Sequence, residues 1–140
     1  MSTPDRALLA EKSAQVERHL ERVATRLPAE GAGLAPGSDS TDAVILHLWQ
    51  AVQLVLDLAL SSCAQLGLGT PSSYADAFKR LASAGRLDPA LADRLVLAAG
   101  FRNLVVHGYE TVDLARVHKA ATDGPRDLRA FIASLRDTLQ

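Results

Sequence analysis

The stretch from Ala43 to Leu66 limits what this chain can fold into more than any other. Val44, Ile45, Leu48, Trp49, Val52, Val55, Leu56 and Ala59 leave almost no helical face without an apolar side chain. A helix that is apolar nearly all round must be surrounded, in the middle of a bundle or across a subunit interface. It is a poor membrane span, because His47, Gln50, Gln53, Asp57 and Gln65 interrupt it with polar groups. Gln50, Gln53 and Asp57 fall at i, i+3 and i+7, so they share one face. A buried aspartate is costly unless a cation or donors meet it. Asp57 is therefore expected to have a partner, and Arg102 is the candidate.

The rest of the chain supplies the surrounding helices. Thr3-Pro4-Asp5 reads as a helix start, with Leu9, Val16, Leu20, Val23 and Leu27 forming an apolar stripe up to Pro28. Residues 28–40 read as a loop, and Asp39, Ser40 or Thr41 is expected to cap a second helix from about Thr41 to Leu66. Gly67 to Ser72 breaks the chain. A short helix follows with Tyr74, Phe78 and Leu81 inward, ending at Gly85. Asp88-Pro89 opens another helix, with a cap and then a residue that needs no amide hydrogen. Asp113 can cap a last helix carrying Leu114, Val117 and Ala121, which Gly124-Pro125 should break or sharply kink. Leu128, Phe131, Ile132, Leu135 and Leu139 continue the stripe to the end. No segment alternates with a period of two. The predicted fold is all-α, an up-and-down bundle of four to five helices forming a single domain over residues 1–140.

Charge narrows the function. With 15 basic and 16 acidic residues, no overall field draws the chain to nucleic acid or to an anionic membrane. The one local positive excess is Lys79, Arg80, Arg86, Arg94 and Arg102 against Asp88 and Asp93, which as a plain reading is solvated surface. The lone cysteine, Cys63, lies in the apolar helix and reads as packing. Asp5, Arg6, Glu11 and Lys12 interrupt the N-terminus before a signal-peptide core could form, so a cytoplasmic location without membrane attachment is expected.

One stretch lacks a bland explanation. Gly100-Phe101-Arg102-Asn103-Leu104-Val105-Val106-His107-Gly108-Tyr109 places arginine, asparagine, histidine and tyrosine around the exit of an apolar helix. Arginine brings a permanent planar cation suited to phosphate oxygens. Histidine can take or give a proton near neutral pH. Five residues apart on an unbroken helix, Arg102 and His107 would be rotated by about 140°. Gly108 suggests unwinding near His107, which would turn the imidazole back toward the guanidinium. Asn103 can fix the cluster, and Tyr109 should keep its hydroxyl near water. The plain alternative is a helix cap and a packed side chain. His19, His47 and His118 have no such company and read as surface or core, and Tyr74 reads as core.

The chain has no zinc spacing, paired acids for magnesium, glycine-rich phosphate loop or serine with a nearby base, so no metal or cofactor is expected. RNA cleavage by its own 2'-hydroxyl needs none of these. It needs a base, a proton for the leaving oxygen and positive charge on the developing dianion. One histidine cannot easily be base and acid in one turnover. A two-fold homodimer would bring two copies of His107 and Arg102 to one cleft.

Arg102-Asn103-x3-His107-x-Tyr109 resembles the signature of the HEPN ribonuclease domains, in their HepT-like toxin branch. The likeness extends to Val52-Gln53-Leu54-Val55-Leu56-Asp57-Leu58-Ala59, to Pro71-Ser72-Ser73-Tyr74-Ala75-Asp76-Ala77-Phe78 with Leu81, Gly85 and Leu87, and to Ala99-Gly100-Phe101. It covers the chain from about residue 42 onward. The resemblance implies a dimeric helical bundle acting as a metal-independent endoribonuclease. Arg102 is then the phosphate-stabilising cation, His107 the proton-transfer residue and Asn103 a positioning group; Asp57, from the residues alone, reads as either a buried polar anchor or a support for the site. It also implies a minimal nucleotidyltransferase antitoxin as partner, which neutralises the toxin by AMPylation of Tyr109. The competing reading is a catalytically inactive HEPN module that recruits or regulates a nucleotidyltransferase.

Overall fold

The computed structural model describes residues 3–138, excluding the side chains of residues 3–5, His107 and Glu110. Five α-helices and two 3-10 turns make up the fold, with no strand among the described residues: α1 (Thr3–Arg26), α2 (Asp39–Gln65), α3 (Tyr74–Ser83), α4 (Pro89–Gly108) and α5 (Leu114–Thr138). The turns are Gly31–Gly33 and Tyr109–Thr111. Leu139 and the capping side chains of Thr3 and Asp5 lie outside the described residues.

The apolar helix takes the position its composition demands. α2 packs against all four other helices, and α5 closes the bundle against α1 and α4. Val44, Val55, Leu56, Ala59 and Cys63 of α2 are fully buried. By length and composition alone α2 could cross a membrane; here its apolar side chains form the centre of the core. The Cys63 thiol bonds to the Ala77 carbonyl, and burial raises its pKa, so it packs as expected.

Cross-helix pairs give the direction of each long helix. His19 meets His47, and each lies about two turns from the α1–α2 loop. Arg94 meets Asp127 at similar distances from the α4–α5 turn. Gln53 meets Arg102 while Asp42 meets Tyr109, so α2 and α4 run antiparallel. The four long helices therefore alternate up and down, and α3 is a short insert between α2 and α4.

Local chemistry explains most boundaries. Asp88 accepts from the Leu91 amide and Pro89 opens α4, as the sequence implies. Asp113 accepts from the Ala115 amide ahead of α5. The cap of α2 is Ser38, one residue earlier than expected, because Ser38 Oγ accepts from the Thr41 amide. Thr41 is buried, and its own hydroxyl oxygen accepts from the Ala35 amide and the Ser38 hydroxyl. The expected break at Gly124-Pro125 does not occur, since α5 runs through it without interruption. A proline inside a helix costs about 3 kcal/mol. Val117 and Ala121 before it, and Leu128, Phe131 and Ile132 after it, are all buried on the core side and offset that cost.

Phe78 and Phe131 meet edge to face, with ring centroids 5.5 Å apart, and both are wholly buried. Phe78→Ala is expected to cost about 3–5 kcal/mol of unfolding free energy, read as a lower urea midpoint at unchanged slope. The His19–His47 pair, 3.0 Å between Nδ1 atoms, gives a second expectation. One Nδ1–H donates to the other ring, so the bond is lost when both rings are charged. Burial first, then neighbouring charges, lowers both pKa values: His47, Arg22 and Arg18 act on His19, while Arg22 and Arg26 act on His47. A group whose folded pKa is depressed stabilises the fold fully above its unfolded pKa of about 6.5 and loses that as pH falls through the folded value. The melting temperature should therefore fall between pH 7 and pH 5, and less steeply in His47→Gln.

Candidate active site

Arg102 lies on the side of α4 that faces α2 and is half-buried there. Its Nε donates to Gln53 Oε1 at 3.1 Å, and its Nη1 donates to Asn103 Oδ1 at 3.2 Å. The Tyr74 ring lies beneath the guanidinium, 5.6 Å from centroid to Cζ. Gln53 is itself fixed, because its Nε2 donates to Asp57 Oδ1 at 3.0 Å and to the Tyr74 hydroxyl at 3.2 Å. With the amide nitrogen facing two acceptors, Oε1 must face the arginine.

This network corrects the expected pairing of Asp57 with Arg102. Asp57 is exposed rather than buried, and it reaches the arginine only through Gln53. Among the described residues no carboxylate forms an ion pair with Arg102; neutral acceptors and an aromatic face hold it. Its positive charge is therefore oriented without being cancelled. The neighbouring cations are differently committed. Arg80 binds Asp76 and the Leu68 carbonyl, both at 2.8 Å, and Arg94 binds Asp127 at 3.0 Å, so these two members of the local basic excess hold the fold together.

Tyr109 is 43% exposed, and its hydroxyl donates to Asp42 Oδ1 at 3.0 Å, on the first turn of α2. Partial burial and the Asp42 carboxylate raise its pKa, so the phenol keeps its proton at neutral pH. Gly108 has φ −151°, outside the left-handed region, but a Cβ there would lie only 3.3 Å from Thr111 Oγ1 in the turn that carries Tyr109.

α4 continues as a helix through His107 to Gly108. The unwinding expected near His107 comes two residues later, in the Tyr109–Thr111 turn. Positions 102 and 107 thus remain about 140° apart around the axis. Position 107 falls on the face shared by Gly100, where an added Cβ would meet nothing within 4 Å. The His107 side chain lies outside the described residues. The fold brings together Arg102, Asn103, Gln53, Tyr74 and, through Gln53, Asp57; it sets Tyr109 against Asp42.

The sequence reading missed the roles of Gln53, Tyr74 and Asp42. Gln53 shows in sequence only as one member of the polar line with Gln50 and Asp57. Tyr74 looked like core because its ring does lie inward. Asp42 carried no signal at all, since its partner is 67 positions away.

The Ribonuclease HepT-like family model matches residues 16–135. The chain belongs to the HepT-like ribonuclease family. It is similar to the mRNA nuclease HepT of Shewanella oneidensis, 28% identical over 89% of this chain and 93% of that protein. The tri-AMPylated Shewanella oneidensis HEPN toxin in complex with its MNT antitoxin superposes with TM-score 0.83 at 26% identity, over 98% of this chain and 99% of that one. A toxin–antitoxin crystal structure with AMP-PNP gives TM-score 0.84 at 26% identity, over 94% and 98%. A cytosolic protein of unknown function from Bacillus subtilis, 15% identical with TM-score 0.74 over 93% and 89%, shares the fold.

Proposed function

We propose that this chain is the toxin of a toxin–antitoxin pair, an endoribonuclease that cuts RNA without a metal and works in the cytoplasm. The observation that carries this reading is the Arg102 guanidinium, steered by Gln53, Asn103 and Tyr74 with no acid among the described residues paired to it. Such a cation suits the dianionic phosphorane formed when a 2'-hydroxyl attacks the adjacent phosphorus. His107 moves the proton, Asn103 and Gln53 position the arginine, and Asp57 supports the site through Gln53. The leaving 5'-oxygen takes a proton, and the products are a 2',3'-cyclic phosphate and a 5'-hydroxyl.

The continuous helix argues for two copies. Positions 102 and 107 lie about 140° apart around the α4 axis, so a homodimer is proposed to supply the second imidazole and guanidinium. Leu97, 73% exposed, lies beside open Gly100 on the same α4 face and suits a two-fold contact. A minimal nucleotidyltransferase antitoxin restrains the toxin by transferring AMP to Tyr109, where phosphate charge and bulk beside the cleft would exclude RNA. The test is purified protein and RNA in EDTA. Cleavage leaving 2',3'-cyclic phosphate ends supports the nuclease. Tight binding to the nucleotidyltransferase with no cleavage under any condition selects the inactive recruiting module.

A further inference from the structure

We infer that Asp42 is the proton acceptor for modification of Tyr109, so the toxin supplies a catalytic group to its own silencing. The inference rests on the reading of Tyr109 as the AMPylated residue. A phenol is a weak nucleophile while protonated, and its attack on phosphorus is assisted by a base within hydrogen-bond reach. Asp42 Oδ1 lies 3.0 Å from the hydroxyl, already accepting the proton that must leave. The raised pKa of Tyr109 fits the same need, because the phenol does not ionise unaided near neutral pH.

A plainer role for Asp42 is charge at a helix N-terminus or a cap. The cap of α2 is already provided by the Ser38 side chain, and Asp42 takes part in it only through its backbone amide, bonded to the Ser38 carbonyl. Among the described residues no cation forms an ion pair with Asp42, so its carboxylate is not neutralised where it meets the phenol.

The step balances as a nucleotidyl transfer. Tyr109 Oη forms a bond to the α-phosphorus of a nucleoside triphosphate held by the nucleotidyltransferase. The bond from that phosphorus to the β-phosphate oxygen breaks, and pyrophosphate leaves with the electron pair. The phenolic proton passes to Asp42 Oδ1.

The experiment uses the full chain with its nucleotidyltransferase and MgATP, following adenylate on Tyr109 by peptide mass spectrometry from pH 6.5 to 9. Asp42→Asn keeps the shape and can still accept the phenol hydrogen bond but cannot take the proton. We expect its maximal rate to fall about a hundredfold, at unchanged affinity between the two proteins, with the deficit narrowing as pH rises. Asp42→Glu should recover part of the rate. Asp42→Asn labelled at the wild-type rate would overturn the proposal, as would a loss that is independent of pH and not relieved by Asp42→Glu. Wild-type toxin that acquires no adenylate on Tyr109 would overturn the underlying reading of Tyr109, and this proposal with it.

Discussion

Replacing His107 with alanine should lower RNA cleavage in EDTA by about 10²- to 10⁴-fold, the range for loss of a positioned proton-transfer group. Circular dichroism, the urea midpoint and the sedimentation coefficient should match the parent protein. Because two copies share the work, His107→Ala mixed with Arg102→Ala should not restore full activity, since each mixed dimer retains one imidazole and one guanidinium. Cleavage by His107→Ala at the parent rate would remove the proposed chemistry.

Arg102→Lys should cost nearly as much, about 10²- to 10³-fold in the rate of cleavage, the range for losing one donor to a developing oxyanion. Charge is kept, but geometry is not. Lysine has no Nε–H to bond Gln53 and no planar face to lie on Tyr74, and its ammonium is a mobile point charge. The effect should appear in the maximal rate more than in RNA affinity, because ground-state attraction survives. Equal activity of Arg102→Lys would mean that charge alone suffices and that the Gln53–Tyr74 brace is incidental.

How far the sequence could be read depended on how local the signal was. The apolar circumference of α2 and the Asp88-Pro89 start were legible because each is written along a single continuous stretch of chain. The proline rule describes a lone helix and so pointed to a break at Pro125, whereas burial of Ala121 before it and Leu128 after it keeps α5 continuous. Asp57 misled for a related reason. Spacing placed it on a line with Gln53, but only packing shows that the edge of the bundle passes between them, leaving the acid exposed and the amide inside. The pairs His19–His47 and Asp42–Tyr109 join different helices, and no local pattern announces either.

One rod touches both the blade and its sheath. α2 braces Arg102 through Gln53 near its middle and holds Tyr109 through Asp42 near its start. On the proposed roles of Arg102 and Tyr109, a drift in sequence that tilted this rod, for example through Val52 or Val55 at its buried side, would blunt the poison and loosen its safety catch together. On that proposal, the variants expected to stay lethal while evading restraint are Tyr109→Phe and changes around Asp42 at the start of the rod.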